Sequence, residues 1–138
     1  MRRVFIFLFF SSFILFTSCS DQIPEWKAAS AARDYYELLA QGDAVRFLEH
    51  KAGIDTLAAD YGEQLLAAVR QYQRDIQQKH GGLQQVRVSD EHYVHDGEQC
   101  RDTALQTTYA FLILCYADST EEEVMVPMVE RDGEWLMK

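Results

Sequence analysis

Apolar residues recur at steps of three and four between residues 24 and 80, the spacing of helices with one buried face. Breaks at Gly42 and Gly53 divide this stretch, and Gly81 ends it. The pattern predicts three helices, over Pro24–Gln41, Ala44–Lys51 and from Asp55 or Thr56 to His80, with Asp43 as the N-cap of the second. The expected core residues are Ala29, Ala32, Tyr36 and Leu39 in the first helix, Phe47 and Leu48 in the second, and Tyr61, Leu65, Val69, Tyr72 and Ile76 in the third.

Beyond residue 82 the apolar positions alternate, which is the period of a β-strand. The predicted strands are Leu83–His95, Thr103–Tyr116, Glu122–Glu130 and Glu134–Lys138, with an irregularity at Ser89-Asp90-Glu91. The segment Tyr109–Tyr116 is apolar on both faces, so we expect it in the middle of the sheet. Pro127 cannot donate to a ladder, which predicts a bulge or an unpaired edge there. The predicted fold class is α+β, with three N-terminal helices packed on a four-stranded antiparallel meander.

The first residues of the chain have the pattern of an export signal. Arg2 and Arg3 precede a short apolar stretch, Val4–Phe16, that is interrupted by serines. This stretch falls short of the roughly 20 apolar residues that a membrane-spanning helix needs. The residues that follow, Phe16-Thr17-Ser18-Cys19, resemble the lipobox of bacterial lipoproteins, which implies a lipid on Cys19. The alternative is an ordinary secretory signal followed by an incidental cysteine.

These features predict three segments: a signal peptide at 1–18, a lipidated tether at 19–23 and one domain at 24–138. Ser20, directly after the cysteine, resembles the sorting pattern for the outer membrane. The expected location is therefore the cell envelope, with the protein lipid-anchored in the outer membrane on its periplasmic or surface face.

The chain is acidic, with 13 Lys+Arg, 22 Asp+Glu and a formal net charge of −9. Loss of Arg2 and Arg3 with the signal would lower this charge to −11. A nucleic-acid-binding surface needs a basic face to neutralise phosphates, so this class of partner is excluded. Anionic lipid headgroups would also repel such a domain, and charge alone would not hold it at a membrane.

Two further cysteines, Cys100 and Cys115, leave a disulfide and two independent thiols as alternatives. Export would allow a bridge. On one extended strand, however, 15 steps of about 3.3 Å would place the two residues roughly 50 Å apart. Two independent, partly buried thiols are therefore favoured.

The acidic and histidine residues have ready structural roles. His50 and His80 lie near predicted helix ends, where a cation is favourable. The run Glu121-Glu122-Glu123 is typical of a solvated stretch beside an apolar strand. One cluster has a metal-like composition and consists of His92, His95, Asp96, Glu98 and Cys100. Because positions 92 and 95 point to opposite faces of a strand, a solvated hairpin tip is favoured over a metal site. We therefore assign no catalytic residue, metal or cofactor.

Three segments resemble the nuclear transport factor 2-like (cystatin-like) superfamily and its small lipoproteins of unknown function. They are AARDYYELLAQGDAVRFL (31–48), TALQTTYAFLI (103–113) and VPMVERDGEWLMK (126–138). The resemblance implies a curved sheet wrapped around a long helix, a cone whose open end can hold a ligand, and Trp135 packed on the core. It also implies frequent homodimers through the outer face of the sheet. The superfamily includes enzymes, such as ketosteroid isomerase, polyketide cyclases and scytalone dehydratase, and non-catalytic modules.

The leading hypothesis is a membrane-anchored, non-catalytic module of the cell envelope that binds a small apolar ligand or a protein. The alternative is a small isomerase- or hydrolase-like enzyme with an unrecognised acid or base in the cone. A third hypothesis is a metal-binding protein that uses His92, His95 and Cys100. The expected partners are the membrane through the lipid anchor, a second copy through the sheet face and a small apolar ligand.

Overall fold

A computed structural model of the chain describes residues 23–93 and 98–138. The helices are α1 (Pro24–Ala40), α2 (Ala44–Glu49) and α3 (Ala59–His80), with short 3-10 turns at Ile54–Thr56, Asp90–Tyr93 and Glu98–Cys100. The strands are β1 (Leu83–Val88), β2 (Arg101–Asp102), β3 (Thr107–Tyr116), β4 (Glu121–Arg131) and β5 (Glu134–Met137). Within the described residues, none of the helices is long and apolar enough to cross a membrane.

The strands form one antiparallel sheet in the order β1-β3-β4-β5, and the three helices pack on its concave side. The short strand β2 pairs with the first two residues of β3. The predicted α+β class and the central position of β3 are both confirmed. Inward-facing residues of β3 are buried, including Ala110, Leu112 and Leu114, each of which is 0% exposed.

The first predicted strand, Leu83–His95, is wrong in its extent. Among the described residues, strand pairing with β3 stops at Val88, at the predicted irregularity, and is found again at Arg101. Between these two points, Tyr93 bonds to the same edge of β3. Its hydroxyl accepts a hydrogen bond from the Phe111 N–H at 3.0 Å and donates to the Tyr109 carbonyl at 3.4 Å. The Tyr93 side chain thus takes the place of a neighbouring strand at this edge of β3, and the pattern of apolar residues could not indicate this.

The core helix is α1. Three of its alanines are 0% exposed, namely Ala28, Ala29 and Ala32, and their small side chains allow the helix to lie close to the sheet. Asp43 caps α2 as predicted, since its carboxylate accepts the N–H of Arg46 at 3.1 Å. Trp135 packs against the core, as the resemblance implied.

The third helix differs from the prediction in its start and its burial. It starts at Ala59, after a 3-10 turn at Ile54–Thr56. Of its expected core stripe only Ile76 is buried, whereas Tyr61 is 48% and Tyr72 is 39% exposed. Helical spacing identifies the apolar face of α3 correctly. Because α1 already packs against the concave side of the sheet, most of this face of α3 is not covered.

Pro127 lies in an unbroken register opposite Tyr109, so the predicted bulge is absent. Its carbonyl accepts a hydrogen bond from the N–H of Lys138 at 2.9 Å. In an antiparallel strand the nitrogen and carbonyl of one residue point to the same side. The missing N–H of Pro127 therefore faces away from β3 and interrupts no bond between these two strands.

A buried ion pair ties the first turn of α1 to β2. Glu25 is 1% exposed, and its Oε1 accepts a hydrogen bond from Arg101 Nε at 2.6 Å and a second from Arg101 Nη2. Glu25 Oε2 is buried without a partner among the described residues. The carboxylate depends on Arg101 because a buried charge without a partner is costly.

We expect Arg101→Met to lower the free energy of unfolding by about 2–3 kcal/mol, measured by urea denaturation. The figure lies below the roughly 3–5 kcal/mol typical of fully buried pairs, because the Arg101 side chain is 47% exposed. Arg33→Met is the matched control, since it breaks an exposed pair with Asp34 and should cost less than about 1 kcal/mol. Equal losses in the two variants would contradict a structural role for the buried pair.

Candidate functional site

The underside of α3 lies near the end of β3 and the start of β4, where the charge of Glu122 and the hydroxyl of Tyr116 both act on Tyr72. The space around these groups is here called the cone mouth. Even-numbered residues of β4 face this space, as the burial of Val126 and Met128 shows. Tyr72 and Val69 lie on the same face of α3 as the buried Ile76, one and two helical turns before it. The cone mouth consists of Tyr36, Val69, Tyr72, Tyr116, Glu122 and Val124.

Phenols and one carboxylate supply the polar groups of the cone mouth. The Tyr116 hydroxyl donates to Glu122 Oε2 at 2.6 Å. Burial raises the pKa of Tyr116, and the hydrogen bond to Glu122 raises it further. Burial, followed by the charge of Glu122, raises the pKa of Tyr72. Burial also raises the pKa of Tyr36 to about 12. These phenols stay protonated at neutral pH and can donate hydrogen bonds beside apolar surface.

The apolar wall continues inward from the cone mouth. The rings of Tyr36 and Phe47 meet edge to face with centroids 5.3 Å apart. Both rings line a cavity of about 190 Å³ together with Leu48, Val126 and Met137, and Lys51 and Lys138 lie at its rim. A largely apolar space with a few polar groups is the usual form of a small-ligand site.

A second polar group closes the end of α3 beside the cone mouth. The ring of His80 stacks on Tyr116 with centroids 4.2 Å apart, and its Nδ1 lies 2.8 Å from Asp118 Oδ2. Hydrogen bonds from Thr120 and then from His80 lower the pKa of Asp118 to about 2. Backbone bonds from Asp118 to the His80 carbonyl and from Ala117 to the Gly82 carbonyl complete the contact. The β3–β4 turn thus holds the C-terminus of α3.

The structure is similar to that of a Campylobacter jejuni protein described as an NTF2-like (nuclear transport factor 2-like) transpeptidase. The TM-score is 0.50 at 11% sequence identity, and the match covers 78% of this chain and 94% of that chain. This chain has the NTF2-like fold. At this identity the similarity shows the fold alone. No protein-family model and no curated protein matches the chain.

In this NTF2-like cone, the run Glu121-Glu122-Glu123 is exposed, as predicted, and its carboxylates also make specific contacts. Glu121 pairs with Arg87 at 2.9 Å, and Glu123 accepts a hydrogen bond from Ser89 at 2.7 Å, both on the outer face. Glu122 alone faces inward. Sequence reasoning missed its role, although strand alternation from Val124 would have placed it on the inner face.

The proposed metal ligands do not converge on the NTF2-like domain. His92 stacks on Phe111 on the outer face of the sheet, whereas Cys100 is buried and its Sγ contacts the carbonyl oxygen of His92 rather than the ring. His95 and Asp96 lie outside the described residues, and the side chain of Glu98 is not described.

Another group on the outer face, Glu91, His92 and Glu123, has ligand atoms within 4.8 Å of one another. Two of these side chains already bond to each other, since His92 Nε2 lies 3.2 Å from Glu123 Oε1. We assign no metal to this group.

The other predicted residues have structural positions. Cys100 and Cys115 are free thiols, as favoured from the sequence. Burial raises the pKa of the Cys100 thiol, followed by the charge of Glu25, so this thiol is not activated. His50 is the C-cap residue of α2, and its ring stacks on Tyr35 with centroids 3.9 Å apart. Cys19 lies outside the described residues, and its lipidation stays a prediction.

The outer face of the NTF2-like sheet presents partly exposed apolar residues, and Met125 among them is 56% exposed. The others are Tyr109, Phe111, Ile113, Pro127, Val129 and Leu136. Pairing of two copies through this face stays a prediction.

We expect Asp118→Asn to lower the melting temperature at pH 7 and to have progressively less effect as the pH falls towards 2. The pKa of Asp118 is about 2 in the folded protein and near 3.9 in the unfolded chain. The charged carboxylate therefore stabilises the fold at pH values above about 3.9, and this stabilisation is lost as the pH falls through about 2. Thermal unfolding of both proteins from pH 7 to pH 2 measures the difference. A constant difference across this range would contradict the role of the charged Asp118.

Proposed function

We propose that the protein is a membrane-anchored, non-catalytic binding module of the cell envelope whose working surface is the cone mouth. Its ligand is a small, mainly apolar molecule with a group that accepts hydrogen bonds. The observation that carries this proposal is the incomplete burial of the α3 stripe, with Tyr72 39% exposed beside the inward-facing Glu122. A domain of this size gains stability by covering such a face, and leaving it open provides a surface for a ligand.

The chemistry of the cone mouth supports binding over catalysis. A general acid or base works best when its pKa lies near the working pH. The pKa values of Tyr36, Tyr72 and Tyr116 are all raised, away from neutrality. Tyr36 and Tyr72 are suited to holding a ligand oxygen by hydrogen bonds, whereas the hydroxyl proton of Tyr116 is already donated to Glu122.

The position of the tether supports the anchoring part of the proposal. Pro24, the first residue of α1, follows the proposed lipid site Cys19 by five residues. Five extended residues span at most about 17 Å. Two or more acyl chains would hold the domain stably at the bilayer, which one chain does not.

The start of α1 and the cone mouth lie at opposite ends of the sheet. Glu25 and Arg101 place the start of α1 beside the first residues of β3, whereas Tyr116 is the last residue of that strand. Ten residues of strand span about 33 Å. A lipid on Cys19 would therefore leave the cone mouth facing away from the membrane and open to a soluble ligand.

We expect the folded protein to bind the fluorescent apolar anion 1-anilinonaphthalene-8-sulfonate at the cone mouth. Val69→Glu would place a negative charge there that repels the sulfonate and would weaken this binding at least about tenfold, which corresponds to about 1.4 kcal/mol. Val45→Glu is the matched control, because Val45 is 48% exposed on α2 and lines a different groove beside Leu57. Weakening by Val45→Glu and not by Val69→Glu would show that the ligand site is elsewhere.

For the anchor, we expect intact-mass spectrometry of the protein from bacterial membranes to show loss of residues 1–18 and addition of diacylglycerol and an acyl chain at Cys19. Cys19→Ser should abolish the modification and release the protein into the soluble fraction. An unmodified Cys19 after cleavage would support the secretory alternative and contradict the lipid anchor, without bearing on the cone mouth.

A further inference from the structure

The outer strands of the sheet are β1 and β5, and they differ in whether other groups bond to their free edges. The edge of β5 is covered, because Ala52 N–H donates to the Met137 carbonyl at 2.6 Å and Met137 N–H donates to the His50 carbonyl at 2.9 Å. The hydroxyl of Tyr35 bonds to the next free carbonyl along this edge, that of Trp135, at 2.6 Å. Proteins usually cover or block strand edges, since an open edge can pair with another chain.

In the part of the chain that the structure describes, no backbone or side-chain group bonds to the free edge of β1. Ser89 N–H donates to the Phe111 carbonyl at 2.9 Å, which fixes the alternation of hydrogen bonds between β1 and β3. By this alternation the N–H and carbonyl groups of Val86 and Val88 point away from β3. Within residues 23–93 and 98–138 these groups have no hydrogen-bond partner. Free N–H and carbonyl groups along a strand edge can pair with another chain, so this edge is suited to receive one.

A groove runs along the open edge. Trp26, Arg33 and Glu37 form its far wall from α1, and residues 85–88 of β1 form the near wall, around a volume of about 340 Å³. At the Leu83 end of β1 it adjoins a larger cavity of about 470 Å³ between α1 and the second half of α3. Gln84 lines the cavity and Gln85 lines the groove, so the two spaces are consecutive along the strand.

The larger cavity has a charge opposite to that of the protein. Although the chain has 22 Asp+Glu, none lines this cavity among the described residues, and two arginines, Arg70 and Arg74, do. Three glutamines, Gln73, Gln77 and Gln84, supply amides, and Leu39, Ile76 and Leu83 supply apolar floor. Guanidinium groups bind carboxylates through paired hydrogen bonds. The glutamine amides can exchange hydrogen bonds with peptide groups, and the apolar residues can contact an apolar side chain of a ligand.

We propose that an extended peptide with a free C-terminal carboxylate binds along β1. The carboxylate lies at Arg70 and Arg74, and the peptide backbone bonds to the free groups of Val86 and Val88. Because β1 runs from the cavity towards the far end of the groove, a peptide with its C-terminus in the cavity runs antiparallel to β1. Addition of a strand to a free edge is a common mode of peptide recognition. This site is separate from the cone mouth.

The test uses the purified protein and one acetylated hexapeptide, Thr-Val-Thr-Val-Thr-Ala, in three forms: with a free carboxylate, with a C-terminal amide, and N-methylated at alternate residues. We expect the free-carboxylate form to slow amide hydrogen exchange at Val86 and Val88 at least about tenfold at saturation. The amide form should bind at least about tenfold more weakly, and the N-methylated form, with fewer donors for the edge, should not slow exchange. Equal binding of all three forms, or no slowing at Val86 and Val88, would overturn the proposal.

A pair of variants tests the charge. Arg70→Gln with Arg74→Gln should remove the preference for the free carboxylate over the amide. Arg46→Gln with Arg131→Gln is the matched control, because it removes the same charge from exposed arginines that line neither space. Loss of the preference in both double variants would show that the net charge of the protein causes the preference, and this would contradict the assigned site. Because Arg70 and Arg74 are exposed, neither substitution should impair folding.

Discussion

The close packing of α1 on the concave sheet is the contact on which the rest of the structure depends. Ala28, Ala29 and Ala32 expose nothing to solvent, and their small size lets the helix lie against β3. Glu25 continues the same stripe into the first turn, where its buried carboxylate pairs with Arg101. This pair joins the start of α1 to β2, the short strand that pairs with the beginning of β3.

Because α1 fills the interior of the sheet, α3 is left with a secondary role. It contacts α2 and the start of β1, and of its apolar stripe only Ile76 reaches the core. The β3–β4 turn holds its C-terminal end through His80 and Asp118. The helix is therefore held by α2 near its start and by the β3–β4 turn at its end, and the stretch between lies over partly exposed apolar surface. This is the arrangement that the proposed ligand site requires.

Local features of the sequence predict the elements well. Helical spacing, the cap at Asp43 and the glycines find α1 and α2 within a few residues, and alternation finds β3 to β5. The failures concern competition between distant segments. The stripe of α3 has helical spacing, but only the tertiary structure shows that α1 occupies the sheet. The hydroxyl of Tyr93 replaces part of a strand, and this bond has no sequence signal. The inward orientation of Glu122 could have been predicted, because the alternation of β4 places its side chain on the concave side of the sheet.

The most direct measurement of whether the underside of α3 is available to a ligand is amide hydrogen exchange along α1 and α3. We predict that amides of residues 28–39 exchange only through global unfolding. Amides of residues 61–72 should exchange through local opening, with a smaller free energy, and should be slowed when a ligand occupies the cone mouth. The same exchange free energy in both helices, unchanged by a ligand, would contradict a working surface beneath α3.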